Sequence, residues 1–453
     1  MVCCRMDTSW SAQPAAARIV ARLVAQLVAR APWVAELRQA LREQTATALV
    51  DWLDHLALPP SAAVEERWRA AGFVAQACDG LVVHRHPGGR FPALVSDPSL
   101  PAGELSATLR VDAVADACAA LGVGAGAGPV ASGGVAYRRA RIAGGPRWSV
   151  WAVERHGWAG FSPPPARDPD AALAHRAAFD ARPRQWTDPA AGFADLHARI
   201  DRAIADLGRD ETCARFFAAE RDFWQSRNRA ARIQRGRQDA LGLGWANHDH
   251  HTYRASRRWF GELIAVLEKL GLECRERFHA GAEAGWGAQV LESPATGIVV
   301  FADVDLTPDE AGLDIAHRPL PPLPALGTVG LWCALHGEAL FAAGMHHLEC
   351  TFLHDELTRQ LAGLGVAMMR PFTDLPHLKQ AFTAGERWPV AAARLTALRD
   401  AGLLSAEQVA RFRAEGAIGS HLENLERREG YKGFNQRGVS HIIAGTDPRA
   451  ARQ

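Results

Sequence analysis

The run of apolar and polar positions divides the chain into two β-rich stretches joined by helices. Apolar residues recur every three or four positions over 15–49, the period of an amphipathic helix. A short strand is predicted at Leu53-Asp-His55-Leu-Ala-Leu, then a helix closed by Ala71-Gly72. Strands follow at Leu81-Val-Val-His-Arg and over 105–111, a helix over 114–121, and an alternating strand over 147–154. Ser162-Pro-Pro-Pro-Ala-Arg-Asp-Pro reads as a linker, and 190–240 as charged helix. The second stretch predicts a strand over 248–253, a helix over 257–270 closed by Gly271, strands around 286–291 and 297–303, a Pro-rich loop over 318–324 and a strand over 346–352. A helix then runs to Leu364-Gly365 and a helical insert fills 388–418, where Ser405-Ala-Glu-Gln408 has the form of a capping box. A closing strand carries Glu423, and residues 1–9 read as a tail.

The punctuation of the two stretches matches. Each opens with Asp-His at the head of a strand, Asp54-His55 and Asp249-His250. Each first helix ends in Gly before an apolar residue, Gly72-Phe73 and Gly271-Leu272, and each second helix ends in Leu-Gly-Val, at Leu121 and Leu364. An internal βαβββ duplication is the reading. The expected organisation is a tail and helix over 1–49, a module without metal over 50–162, a linker and helical segment over 163–243, and a metal-binding module over 244–445.

The candidate chemistry lies in the second stretch. Asn247-His-Asp-His250-His-Thr-Tyr and Gly344-Met-His-His347-Leu-Glu-Cys supply imidazoles; the stretch around Glu423 supplies a carboxylate before Arg427-Arg and Gly433-Phe434. Two imidazoles and one carboxylate brought together make the facial triad of a non-haem Fe(II) oxygenase. Strand alternation puts His248, His250 and Thr252 on one face and His251 on the other. His250 is the expected ligand; His248 is an outer hydrogen-bonding partner of the site or the alternative ligand. His347 shares its face with Glu349, a competing carboxylate. A helix surface is the plain alternative for Glu423, given Glu426 and Glu429, but the nearby glycines oppose a long helix. Gln289 is expected to line the barrel and orient a substrate carbonyl, Phe434 to cover the open face of the metal, and Arg437 to pair with a substrate carboxylate.

These residues resemble the vicinal-oxygen-chelate superfamily. Asp249-His250, Gly344-Met-His-His347-Leu and Glu423 before Lys432-Gly433-Phe434 are similar to the catalytic half of the 4-hydroxyphenylpyruvate dioxygenase family over about residues 245–440, and in outline over 50–160. Phe434-Asn-Gln-Arg-Gly438 is also similar to the 2-oxoadipate dioxygenase/decarboxylase family, whereas Asn435-Gln436-Arg437 and the 388–418 insert depart from the first pattern. The resemblance implies an α+β fold of tandem βαβββ modules forming incomplete β-barrels with added helices, and His250, His347 and Glu423 as ligands. It implies an Fe(II)-dependent dioxygenase acting on a 2-oxo acid, with O2 as co-substrate. In the first module His55 stands at the ligand position, Ser106-Ala107 cannot supply an imidazole, and Glu154 is read as a relic of the third ligand. The alternatives are a divalent-metal isomerase, lyase or hydrolase using Glu349, and a non-catalytic small-molecule-binding protein.

Bulk properties narrow the partners. In 453 residues the hydrophobic fraction is 48%, the charged fraction 22% and the net charge +1, so no global field recruits nucleic acid or an anionic membrane. Arg18, Arg22 and Arg30 interrupt the apolar 15–33 run and exclude a membrane span there. Eight scattered cysteines form no CxxC pair, which fits reduced thiols in a cytoplasm. The basic run from Arg227 to Arg237 is read as a solvated helix face, and Gly122-Val-Gly-Ala-Gly-Ala-Gly lacks the Lys-Ser/Thr ending of a phosphate loop. A small-molecule partner is expected, and a homodimer is compatible with the sequence.

Overall fold

The computed structural model describes residues 10–123, 134–165, 167–280, 284–310, 312–373, 375–434 and 447–449. The tail over 1–9, most of the 122–128 glycine run and Arg437 lie outside the described residues.

The first sheet contains β1 (Leu53–Leu58), β2 (Val74–Cys78), β3 (Leu81–Arg85), β4 (Ala93–Ser96), β5 (Leu105–Arg110), β6 (Tyr137–Gly145) and β7 (Trp148–Arg155). The second contains β8 (His248–Arg254), β9 (Glu273–His279), β10 (Trp286–Glu292), β11 (Val299–Asp305), β12 (His347–Thr351), β13 (Leu378–Phe382), β14 (Glu386–Trp388) and β15 (Ala417–Arg427). The first sheet runs β2-β3-β4-β1-β5-β7-β6. The second, read in the same sense, runs β9-β10-β11-β8-β12-β15-β13, with the short β14 paired to β15. The order is the same strand for strand.

Each sheet is itself a pair of strand–helix–strand units. Helices Ala62–Ala70 and Val114–Ala120 serve the first sheet, Phe260–Lys269 and His354–Ala362 the second. Each unit's first strand pairs in parallel with its last, and the two units of a sheet meet at an antiparallel pair, β1 with β5 and β8 with β12. The sheets curl into incomplete barrels, so the duplication read from the sequence occurs twice over. The matching glycines have a backbone cause: Gly72, Gly122, Gly271 and Gly365 follow the four unit helices with φ of +96°, +67°, +89° and +74°, where a side chain would be strained.

Helices pack around both sheets. Pro14–Arg30 and Pro32–Ala40 bury one apolar stripe against the first sheet, in a core that includes Trp52, Trp68 and Phe73. Helices Pro169–Asp180, Pro189–Leu207, Arg209–Ser226 and Arg229–Asp239 lie between the sheets in sequence; Asp168, Asp188 and Asn228 cap three of them through their side chains. Helix Arg209–Ser226 is buried along most of its length; Phe217 packs on His251 and Tyr253, the residues of β8 that face away from the barrel interior. Its Glu220 is paired with Arg182 and Arg184 and accepts from Tyr253 Oη at 3.2 Å, so the buried charge is compensated. The 388–418 segment forms helices Ala392–Asp400 and Ala406–Glu415, the second opened by the Ser405/Gln408 capping box. β15 follows at once, so Glu423 lies in an eleven-residue strand and not on a helix surface. No helix of the described residues is long and apolar enough to cross a membrane.

Candidate metal centre

Strand register builds the site. His250 on β8 is the register partner of Glu349 on β12, and Glu349 is the partner of Glu423 on β15. Directly opposed residues share a face, so the three side chains form one row across neighbouring strands. His347, two residues before Glu349, joins that face. Its Nε2 lies 2.8 Å from Glu349 Oε1 and 3.4 Å from Glu423 Oε2, and His250 Nε2 touches Glu349 Oε2. All four residues are buried.

Outer hydrogen bonds aim these groups. Asp249 Oδ1 lies 3.0 Å from His250 Nδ1, which fixes the Nδ1–H tautomer and turns the Nε2 lone pair inward. Asp249 is itself held by Arg427 at 2.9 and 3.1 Å and by Arg90, from the first half of the chain, at 2.8 Å. His347 Nδ1 lies 3.1 Å from His421 Nε2. Gln380 Nε2 donates to Glu423 Oε1 at 3.1 Å, leaving Oε2 for the interior.

Burial drives the protonation states. It pushes His250 down to about 4, although Asp249 opposes the shift, and holds His347 well below the usual imidazole range. Burial, then the neighbouring Glu423, raises Glu349 well above the carboxylate range, and burial lifts Glu423 to about 7. Two neutral imidazoles and two carboxylates thus converge where ionising the carboxylates is costly, with ligand atoms of His347, Glu349 and Glu423 within 4.8 Å of one another. A divalent cation cancels that cost, and the N/O donor set suits Fe(II), Mn(II) or Zn(II). The residues present fit a metal. His346, His347 and His421 also lie within reach of a common ion, but they bring no carboxylate and Arg254 repels charge at all three. They are better understood as the support of His347.

The walls are aromatic. Phe301 and Phe434 lie 4.7 and 4.8 Å from the His250 ring, Phe434 edge-on, and Phe382 lies 5.3 Å from His347. Arg427 and Arg275 cover Phe434 at 4.9 and 5.2 Å. Farther along the same face of β8 stands Arg254, 4% exposed. Its Nε lies 3.9 Å from Asp303 Oδ2, and neither Nε nor Nη1 has a hydrogen-bond partner among the described residues. Burial raises Asp303 to about 8, against the pull of Arg254.

Two expected residues lie elsewhere. The β8–β12 register slips between Glu349 and Cys350, which pairs with His248 and skips Asp249. This bulge reverses the side-chain phase, so His248 packs against His251 at 5.2 Å, behind the strand, rather than beside His250. Gln289 is the register partner of Ala302, and Phe301 and Asp303 on either side occupy the metal face. Alternation therefore turns Gln289 away; its amide donates to the carbonyls of Glu276 at 3.0 Å and Val290 at 3.1 Å. Sequence reasoning missed Arg254, Gln380, Arg90 and His421. Arg254 had a readable signal, its spacing of two strand repeats from His250; the others depend on strand pairing.

The first sheet repeats the support without the ligands. His55 Nδ1 lies 2.7 Å from Asp54, Arg155 holds Asp54 at 2.9 and 3.1 Å, and Phe161 meets the His55 ring edge-on at 5.0 Å under the Arg155 guanidinium. Thr108 pairs with His55 and with Trp151, so Thr108 stands where Glu349 does and Trp151 where Glu423 does. Ser106 takes the place of His347. Glu154 is not the third-position relic: it lies on the alternate phase of β7 and accepts from the Val114 amide at 2.6 Å.

Strand order and unit repeat define paired βαβββ modules, with a candidate metal centre in the second pair. The chain is similar to solved structures of methylmalonyl-CoA epimerase from Mycobacterium tuberculosis, at 14% identity over 40% of this chain and 88% of that one with a TM-score of 0.23. It is similar to a mutant 4-hydroxymandelate synthase from Streptomyces coelicolor, at 13% identity over 89% and 99% with a TM-score of 0.29. An uncharacterized protein from Shigella flexneri matches at 13% identity over 52% and 73% with a TM-score of 0.24. No protein-family model and no curated protein matches the chain.

Proposed function

We propose that the protein is a non-haem Fe(II)-dependent dioxygenase acting on a 2-oxo acid. The reading is supported by one juxtaposition: His347 and Glu423, with Glu349 between them and His250, share a barrel face with Arg254, a buried guanidinium with unspent donors. His250, His347 and Glu423 would hold the metal, which when bound supplies activation of O2 and polarisation of the substrate carbonyl. Arg254 receives a substrate carboxylate through charge-assisted hydrogen bonds. Phe301, Phe382 and Phe434 keep water from the ring edges of the two histidines. Glu349, raised by burial beside Glu423, holds a proton at its carboxyl.

The test is oxygen uptake by Fe(II)-reconstituted protein over a panel of 2-oxo acids. His347→Ala abolishes uptake. Arg254→Met raises KM about 10–100-fold, the cost of one charge-assisted hydrogen bond, with a smaller change in kcat. Unchanged metal-dependent turnover in His347→Ala rejects the assignment. A second reading rests on the position of Glu349 between His250 and Glu423: Glu349 is then ligand or base in a metal-dependent isomerase, lyase or hydrolase. Turnover without oxygen consumption, lost in Glu349→Gln, selects that reading.

A further inference from the structure

We propose that Glu268, Cys274 and His317 form a zinc site on the outer surface of the second half, separate from the centre around His250. Glu268 lies in the last turn of helix Phe260–Lys269, Cys274 on the edge strand β9, and His317 in the loop between β11 and helix Thr328–His336. Their three ligand atoms lie within 4.8 Å of one another. His317 Nε2 is 2.8 Å from Glu268 Oε1, and Cys274 Sγ is 4.0 Å from the same oxygen.

The ligand types suit zinc, which takes thiolate sulfur, imidazole nitrogen and carboxylate oxygen at about 2.0–2.3 Å in tetrahedral geometry. Such an ion separates its ligand atoms by roughly 3.3–3.7 Å. The 2.8 and 4.0 Å distances straddle that range, so small side-chain rotations bring the three onto one ion. A second observation is the carboxylate behind the imidazole. Asp314 Oδ2 and Oδ1 lie 3.1 and 3.2 Å from His317 Nδ1, the carboxylate–histidine arrangement that orients metal-bound imidazoles. Cys274 is partly exposed, as is each partner, so an ion reaches the site from solvent and a water completes the fourth position. A bound ion would tie the helix end, the edge strand and the Pro-rich loop together. The rival occupant is a proton: Glu268, then Asp314, raises His317 above the usual imidazole range when no ion is bound.

The test uses full-length protein stripped of metal and loaded with Co(II). The expected result is a thiolate-to-cobalt charge-transfer band that Cys274→Ser removes and His347→Ala retains. In competition with a chromogenic chelator, Cys274→Ser binds one zinc ion fewer than wild type. Asp314→Asn weakens that ion about 10–100-fold. Absence of the band, with equal zinc stoichiometry in wild type and Cys274→Ser, overturns the proposal, as does a proton on His317 that still titrates unchanged in excess zinc. The His347→Ala arm separates this outcome from any failure at the barrel centre.

Discussion

The two sheets carry the same Asp-His-Arg-Phe support, and only one carries ligands to go with it. In the first, Asp54, His55, Arg155 and Phe161 are arranged as Asp249, His250, Arg427 and Phe434 are in the second. The hydrogen bonds of both arginines extend to carbonyls of the following turn, Trp158 and Gly160 in one case, Tyr431 and Gly433 in the other. The difference lies in three positions of the row. Ser106, Thr108 and Trp151 satisfy one another or their neighbours: Ser149 Oγ donates to Ser106 at 2.9 Å, Thr108 meets His55 Nε2 at 3.0 Å, and Arg139 stacks on Trp151 at 4.0 Å. His347, Glu349 and Glu423 instead make an electrostatically costly cluster that a cation relieves. The support orients a strand-head histidine; it does not by itself make a metal site.

The sharpest way to break this comparison is a matched pair of histidine variants. His250→Ala is expected to lose tight Fe(II) or Co(II) binding at the barrel centre; His55→Ala is expected to leave metal stoichiometry unchanged and lower only Tm. Equal metal loss in both would refute the asymmetry. The next effect is smaller and shared. Arg155→Met strands the buried Asp54 and should cost about 3–5 kcal/mol in denaturant unfolding; Arg427→Met leaves Asp249 paired with Arg90 and should cost less. Only Arg427→Met should also weaken metal, because Asp249 is then held less firmly against His250 Nδ1.

The smallest effect is in pH. Glu423 is lifted by burial to about 7 in the metal-free chain, above its unfolded value of 4.5. Its contribution to stability is complete below the unfolded value and lost as pH rises through 7. Metal-free wild type should therefore lose Tm between about pH 4.5 and 7, while Glu423→Gln or added divalent cation flattens that slope. The first sheet, with Trp151 at the matching position, adds nothing to it. A slope unchanged by Glu423→Gln would place its source elsewhere.

Much of this duplication is legible in one dimension. Asp-His strand heads and helix-terminating glycines mark both halves, because tautomer control and positive φ each demand particular residue types. The hydrophobic period also locates the N-terminal helical region, which the extended Ala31 before Pro32 divides into two helices ending at Ala40. What escapes is phase and pairing. The bulge at Asp249 inverts His248, and the register of β10 turns Gln289 outward; neither is encoded by alternation within one strand. The edge strands β2 and β6 and the short β4 carry weak alternation. Gln380 reaches Glu423 only because β13 lies against β15.

Arg90 belongs to the loop before β4, yet its guanidinium ends on the aspartate that steers His250. The half without ligands therefore supplies a working part of the other. A fragment starting at residue 244 would lose Arg90 and leave Asp249, which orients the leading imidazole of the metal row, with Arg427 as its one remaining guanidinium partner among the described residues.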